Sequence, residues 1–297
     1  MAVTDYLRKR FMPHIWCPGC GHGIVLNSLL RAVEKLGLAK NDIVMISGIG
    51  CSARMQGYVD FHTLHTLHGR ALAFATGIKM AWPLLNVIVP MGDGDALAIG
   101  GNHFIHAARR NIDVTAIIMN NSIYGMTGGQ YSPLTACGDL ATTAPYGTVD
   151  PPFDTVRLAE SAGASFIART TTWHARDMTK ILAKAMTHKG FSVVEVLSQC
   201  PTYYGRKNDA GDAVAMMEFY RDNTVRVDRD GDAAAPAGGD GAREEPIPIG
   251  IFRQEERSEY CESYRTRVME PAARSAGAEP PAPQDALAPT ECEEPES

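Results

Sequence analysis

The chain has 297 residues, 45% of them hydrophobic, and a formal net charge of -6. That composition supports one large domain or two ordinary ones around a packed core and excludes a wholly disordered chain. No cluster of Lys and Arg stands out, so nucleic acid and acidic membranes are poor partners, because counterion release needs clustered positive charge.

Residues 1–16, MAVTDYLRKRFMPHIW, carry basic residues but no apolar h-region or cleavage pattern, and no apolar run reaches membrane-spanning length. A cytoplasmic protein is expected. The seven cysteines include Cys17-Pro18-Gly19-Cys20, and in a chain without a signal peptide this pattern suits metal binding or redox chemistry better than a disulfide framework.

In chain order, Val25, Leu29, Leu30, Val33 and Leu36 keep helical spacing up to Gly37, and Ile43-Val44-Met45-Ile46 reads as a strand. Val87-Ile88-Val89 and Val114 to Met119 are further strands; Met178, Ile181, Leu182, Ala185 and Met186 form a helix stopping at Gly190, and Ser192 to Leu197 is a strand. Continuous apolar strands alternating with helices predict an α/β fold, a doubly wound and mostly parallel sheet covered on both faces, with ligands beyond the carboxyl ends of its strands. This domain is expected over residues 1–228.

Residues 229–245 are rich in Gly, Ala, Pro and Asp and read as a flexible linker. Residues 246–269 contain the apolar patch Ile247 to Phe252, expected to dock on the main domain or on a partner. Beyond Arg274 there are six acidic residues, no basic ones and repeated prolines, so residues 270–297 read as an acidic tail of little order.

Gly92-Asp93-Gly94-Asp95 follows a strand. Gly92 and Gly94 let backbone approach a phosphate, and Asp93 offers a hard carboxylate oxygen to a divalent cation bridging diphosphate oxygens. Such a triplet alone is often a turn with an acidic tip. The strand-borne Asn120-Asn121 pair, 28 residues from Asp93 to Asn121, adds an amide oxygen, and the turn at Ser122-Ile123 adds a main-chain carbonyl. Asp95 is either a further acid of this motif or the cap of the following helix.

The spacing of Cys17 and Cys20 does not decide between a zinc knuckle, a redox dithiol and a cluster site. Cys51 follows a strand and so does Cys200, which places both at the ligand edge of the sheet. Four such thiolates satisfy a 4Fe-4S cluster, while any one taken singly also suits a small buried apolar position. Cys137, Cys261 and Cys292 are read as non-ligands.

Together, WCPGCGHG (Trp16 to Gly23), GIGCSAR (Gly48 to Arg54), HGRALAFATGIKMA (His68 to Ala81), GDGDALAIGGNHFIHAARRN (Gly92 to Asn111), MNNSIYGMTGGQYSP (Met119 to Pro133) and the cysteine of SQCPTYYGRKN (Ser198 to Asn208) resemble the beta subunit of the 2-oxoacid:ferredoxin oxidoreductases, over roughly residues 10 to 225. The resemblance implies thiamine-diphosphate-dependent oxidative decarboxylation of a 2-oxoacid to an acyl-coenzyme A. It implies that Cys17, Cys20, Cys51 and Cys200 bind one 4Fe-4S cluster, that Asp93, Asn121 and the Ile123 carbonyl bind Mg2+, and that Gly92, Gly94, Asp95, Tyr124 and Gly125 line the cofactor. An alpha subunit would supply the cofactor-activating glutamate and much of the coenzyme A site, in a paired alpha-beta assembly that passes electrons to ferredoxin. Arg54 matches a position where a basic residue meets the distal carboxylate of 2-oxoglutarate, with Met126 lining the same pocket and His68 and Arg70 near cofactor or substrate. The expected substrate is therefore 2-oxoglutarate, ahead of pyruvate or another 2-oxoacid. A non-redox thiamine enzyme and a zinc-stapled binding module are the competing readings: the first leaves the cysteines unexplained, the second the diphosphate motif.

Overall fold

The computed structural model describes residues 2–227 and 245–277. Its strands are β1 (Ile43–Ser47), β2 (His62–His65), β3 (Asn86–Gly92), β4 (Thr115–Asn120), β5 (Ile123–Tyr124), β6 (Gln130–Tyr131), β7 (Phe166–Thr171), β8 (Ser192–Leu197), β9 (Thr224–Arg226) and β10 (Ile247–Gln254). The helices are α1 (His22–Leu36), α2 (Met55–Tyr58), α3 (Ala71–Ala81), α4 (Asp93–Leu97), α5 (Gly101–Arg110), α6 (Thr155–Ala162), α7 (Ala175–Thr187), α8 (Ala213–Asp222), α9 (Tyr260–Tyr264) and α10 (Glu270–Ser275).

Eight strands form one sheet in the order β2-β1-β3-β4-β8-β7-β10-β9, while β5 and β6 make a separate hairpin. From β2 to β7 every pairing is parallel; β10 runs antiparallel to β7 and parallel to β9. The expected doubly wound, mostly parallel sheet is thus present.

Successive strand residues serve opposite faces. Ile43, Met45, Ile117 and Met119 join one core with Val25, Leu29 and Val33 of α1 and Ile181 and Leu182 of α7. Val44, Ile46, Ala116 and Ile118 join the other with Leu72 of α3, Phe104 of α5 and Val156 of α6. This is why the strands read as unbroken apolar runs rather than alternating ones. Each large side chain so buried contributes about 1.5–3 kcal/mol.

Helix α1 stops where Gly37 takes a left-handed φ of 66°. Helix α7 ends at Thr187, ahead of the Gly190 expected as its stop: His188 is already extended, and its Nε2 lies 2.7 Å from Ser165 Oγ. The apolar patch after residue 246 is the body of β10, so it pairs with the chain's own sheet. Asn111 Nδ2 donates to the carbonyls of Arg257 and Ser258, and the Asp113 amide donates to Glu259, which ties the following segment down. Of the linker read at 229–245 only Glu245 lies within the described residues, and of the tail only 270–277, where α10 begins.

Candidate cofactor and metal site

Four loops meet at the carboxyl edge of β1, β3, β4 and β8, which are consecutive neighbours in the sheet. The outer two strands lead to Cys51 and Cys200, and the inner two lead to Asp93 and Asn121. A cavity of about 150 Å3 opens between them. Its wall includes Gly92, Asp93, Gly94, Asp95, Asn121 and Ile123. Tyr124, Gly125, Cys51, His68 and Met126, also singled out in the sequence, line it too, whereas Cys17, Cys20, Cys200 and Arg54 do not. A larger cavity of about 580 Å3 is lined by Asn121 as well, but by neither Asp93 nor any of these cysteines.

Asp93 and Asp95 are each 2% exposed. Burial pushes the Asp93 carboxyl from its ordinary 3.8 up to about 6, against the opposing pull of hydrogen bonds from Ser132 Oγ, at 2.7 Å, and the Gly94 amide, at 2.9 Å. Asp95 is raised by burial as well; its Oδ1 accepts from the Gly69 amide and lies 2.7 Å from His68 Nδ1, while its Oδ2 is buried with no partner among the described residues. Two buried acids, one with an oxygen that has no partner among the described residues, are a demand for positive charge.

The two asparagines divide the work. Asn120 Nδ2 donates to Glu195 Oε1 at 2.9 Å, and its Oδ1 accepts from the Ser122 amide, fixing a turn in which Ser122 has a φ of 56°. Glu195, a charged residue inside a buried strand, is held by Arg169 Nε at 2.6 Å and Thr155 Oγ1 at 2.7 Å. Asn120 is thereby committed to the frame, and Asn121 is left to face the cavity.

A Cβ built on Gly94 would overlap the Tyr124 ring. Gly94→Ala is therefore expected to destabilise by about 1–3 kcal/mol, as overpacking does, and to weaken cofactor binding; thermal unfolding and thiamine diphosphate titration check this, and unchanged values for both would refute the close packing.

The Cys17–Cys20 loop is laced to the Cys200 segment. The Gly21 amide donates to the Gln199 carbonyl at 3.2 Å, Gln199 Nε2 donates to the Gly19 carbonyl at 3.1 Å, and Thr172 Oγ1 donates to Gln199 Oε1 at 2.6 Å. Trp16 Nε1 donates to the Cys51 carbonyl at 2.7 Å. A Cβ on Gly125 would lie 3.5 Å from Cys51 Sγ and 3.8 Å from Cys200 Sγ, so this residue of the cavity wall adjoins two of the thiols. Burial raises the Cys20 thiol to about 12 and the Cys51 thiol to about 11, with the neighbouring cysteines adding to the rise; the Met126 amide opposes it at Cys51. His22, beside Cys20, is kept neutral by burial, its pKa down at about 4.

No three His, Cys, Asp or Glu among the described residues are spaced to share a single ion. Cys137 is exposed, with its Sγ on the Thr148 carbonyl, and Cys261 is buried on α9; Cys292 lies outside the described residues.

Residues 48–196 match the thiamine pyrophosphate enzyme, C-terminal TPP binding domain. The 2-oxoglutarate synthase subunit KorB of Methanothermobacter thermautotrophicus is 48% identical over 270 residues, covering 91% of this chain and 93% of that protein. Its counterpart in Archaeoglobus fulgidus is 51% identical over 261 residues, or 87% and 91%. The 2-oxoglutarate:ferredoxin oxidoreductase from Magnetococcus marinus, solved with 2-oxoglutarate, coenzyme A and succinyl-CoA bound, aligns with a TM-score of 0.80 at 35% identity, over 94% of this chain and 92% of that one.

The chain belongs to the 2-oxoacid:ferredoxin oxidoreductase beta-subunit family. As a beta subunit with a thiamine pyrophosphate domain, its cavity fits the diphosphate end of the cofactor on an observation of its own. Ser52 lines the cavity, its Oγ is buried with no partner among the described residues, and it would stand 3.4 Å from a Cβ on Gly92. A hydroxyl donor beside Gly92 suits a phosphate oxygen. Ser52, His22, Trp16 and Gln199 were not picked out from the sequence, because a single Ser, His, Trp or Gln beside a motif carries no pattern of its own. Arg54 is exposed on the Ser52–Arg54 turn, outside the cavity wall. Arg70 is turned away, its Nη1 donating to the Ile99 carbonyl at 2.9 Å. No helix among the described residues is long and apolar enough to cross a membrane.

Proposed function

We propose that this beta subunit holds Mg2+, thiamine diphosphate and one 4Fe-4S cluster, and that with its alpha subunit it interconverts 2-oxoglutarate plus coenzyme A with succinyl-CoA plus CO2, using ferredoxin as electron carrier. The observation that carries this reading is Gly125, one residue that walls the cavity of Asp93 and adjoins the thiols of both Cys51 and Cys200. The cofactor supplies an electron sink for decarboxylation and the cluster a one-electron acceptor.

This chain's own residues position both groups. Asp93, Asn121 and the Ile123 carbonyl would hold Mg2+, and Ser52 Oγ would donate to the diphosphate. Cys17, Cys20, Cys51 and Cys200 would hold the cluster; the raised thiol pKa values of Cys20 and Cys51 mean that metal charge has to displace their protons. At about 150 Å3 the cavity is smaller than the roughly 300–1,000 Å3 that encloses a whole organic ligand. One end of the cofactor therefore belongs to the alpha subunit, in an assembly proposed to pair as two alpha-beta units. The free cysteines suit the reducing cytoplasm, where the enzyme is proposed to work.

Arg54 is proposed as the anchor of the distal carboxylate: it is exposed, and no acid among the described residues pairs with it. The test is anaerobic co-expression with the alpha subunit, then coenzyme A-dependent reduction of a low-potential dye. The native enzyme is expected to prefer 2-oxoglutarate over pyruvate. Arg54→Gln should raise the KM for 2-oxoglutarate about 10- to 100-fold, the size of a lost charge-assisted pair, with pyruvate turnover unchanged. Equal losses on both substrates would remove Arg54 from this role, and a native preference for pyruvate would change the substrate.

A further inference from the structure

His22 opens α1 two residues after Cys20 and is 1% exposed. Its Nδ1 lies 3.4 Å from Cys20 Sγ. The same ring is part of the wall of the cavity that contains Asp93 and Asp95. Trp16 packs beside it, ring centroids 5.8 Å apart, and through its own Nε1 reaches the Cys51 carbonyl. His22 therefore occupies the ground between the gathered thiols and the cofactor cavity.

The chemistry of the contact sets its direction. A cysteine bound to iron is a thiolate with no proton to give, so the bond has to run from Nδ1–H to Sγ. That requirement fixes the tautomer of the buried ring. Hydrogen bonds to cluster sulfurs favour the more negative, reduced cluster and so raise its reduction potential.

We propose that His22 is a positioning residue whose Nδ1–H···Sγ bond to Cys20 sets the reduction potential of the cluster, from a place where its ring also walls the cofactor cavity. The inference rests on the four-cysteine cluster reading. A purely structural histidine would fill the same space without moving the potential.

The experiment uses the co-expressed, anaerobically purified enzyme as wild type, His22→Leu and His22→Asn, with iron and sulfide measured on each and the midpoint potential read by EPR during reductive titration. His22→Leu is expected to keep its iron and to lower the equilibrium constant for one-electron reduction about tenfold, a shift of about 59 mV. In His22→Asn the side-chain amide replaces Nδ1–H, and most of the shift should be recovered. In parallel, wild-type enzyme grown on 15N-histidine should show a histidine nitrogen coupling on the reduced cluster by pulsed EPR, which answers the question even if His22→Leu fails to retain iron. A wild-type potential in iron-replete His22→Leu, or no nitrogen coupling in the labelled enzyme, overturns the proposal alone. A wild-type enzyme without iron and sulfide overturns the cluster reading beneath it.

Discussion

Asp93→Asn is expected to leave the assembled enzyme folded and iron-replete while weakening Mg2+-dependent thiamine diphosphate binding by at least about 100-fold, the upper end of what the loss of an outer partner alone causes. The substitution keeps the shape, and the amide can still accept from Ser132 Oγ; what it removes is the charge. Native binding should also depend on pH in a set direction. Because burial raises the Asp93 carboxyl to about 6, the cofactor-free protein carries a proton there below that pH, and Mg2+ has to displace it. Apparent affinity should be flat above pH 6 and fall about tenfold per unit below it.

Stability should move the opposite way. Between 3.8 and about 6 the folded, cofactor-free protein binds this proton more tightly than the unfolded chain does. Its contribution to stability is therefore present at the acid end of that window and is lost as pH rises through it. Calorimetric titration at several pH values checks the binding limb, with Asp93→Asn as a flat control. A native affinity that is constant from pH 5 to 7 would falsify the assignment of Asp93 as the metal-facing acid.

Cys200→Ala is expected to abolish the iron and sulfide content while changing thiamine diphosphate affinity by less than about threefold, a little under 0.7 kcal/mol. The separation follows from placement: Cys51 lines the cavity and Cys200 does not. Cys51→Ala should accordingly impair both, whereas Cys137→Ala and Cys261→Ala should impair neither. Iron analysis and cofactor titration on the same preparations decide it; a Cys200→Ala enzyme with full iron would end the ligand assignment.

The candidate site was legible wherever chemistry interrupts a regular pattern. Asp93 and Asn121 stand out because each follows an apolar run that must be a strand, and Cys51 and Cys200 because their loops follow strands too. The frame around them was not legible. Strand β7, with Arg169, Thr170 and Thr171, was not among the strands read from the sequence; Arg169 finds its partner in Glu195 of the neighbouring β8. Strand β2, His62–His65, is a polar edge strand with no alternation to betray it. The patch at Ile247 announced apolar surface but not its mate, since only the fold brings β7 alongside. Ser52 and His22 gain meaning from what surrounds them, Gly92 for one and Cys20 for the other.

The order of the sheet has a consequence for how the protein is made. Strand β8 comes late in the chain but sits between β4 and β7, so Cys200 reaches its place only after a central gap has been filled by long-range pairing, the slow kind. Until then a nascent chain can offer Cys17, Cys20 and Cys51 but not the fourth thiol. With Cys200 as the proposed fourth ligand, loading of iron would be deferred until β8 has paired with β4 and β7, and a filled cluster would report that this central gap has closed.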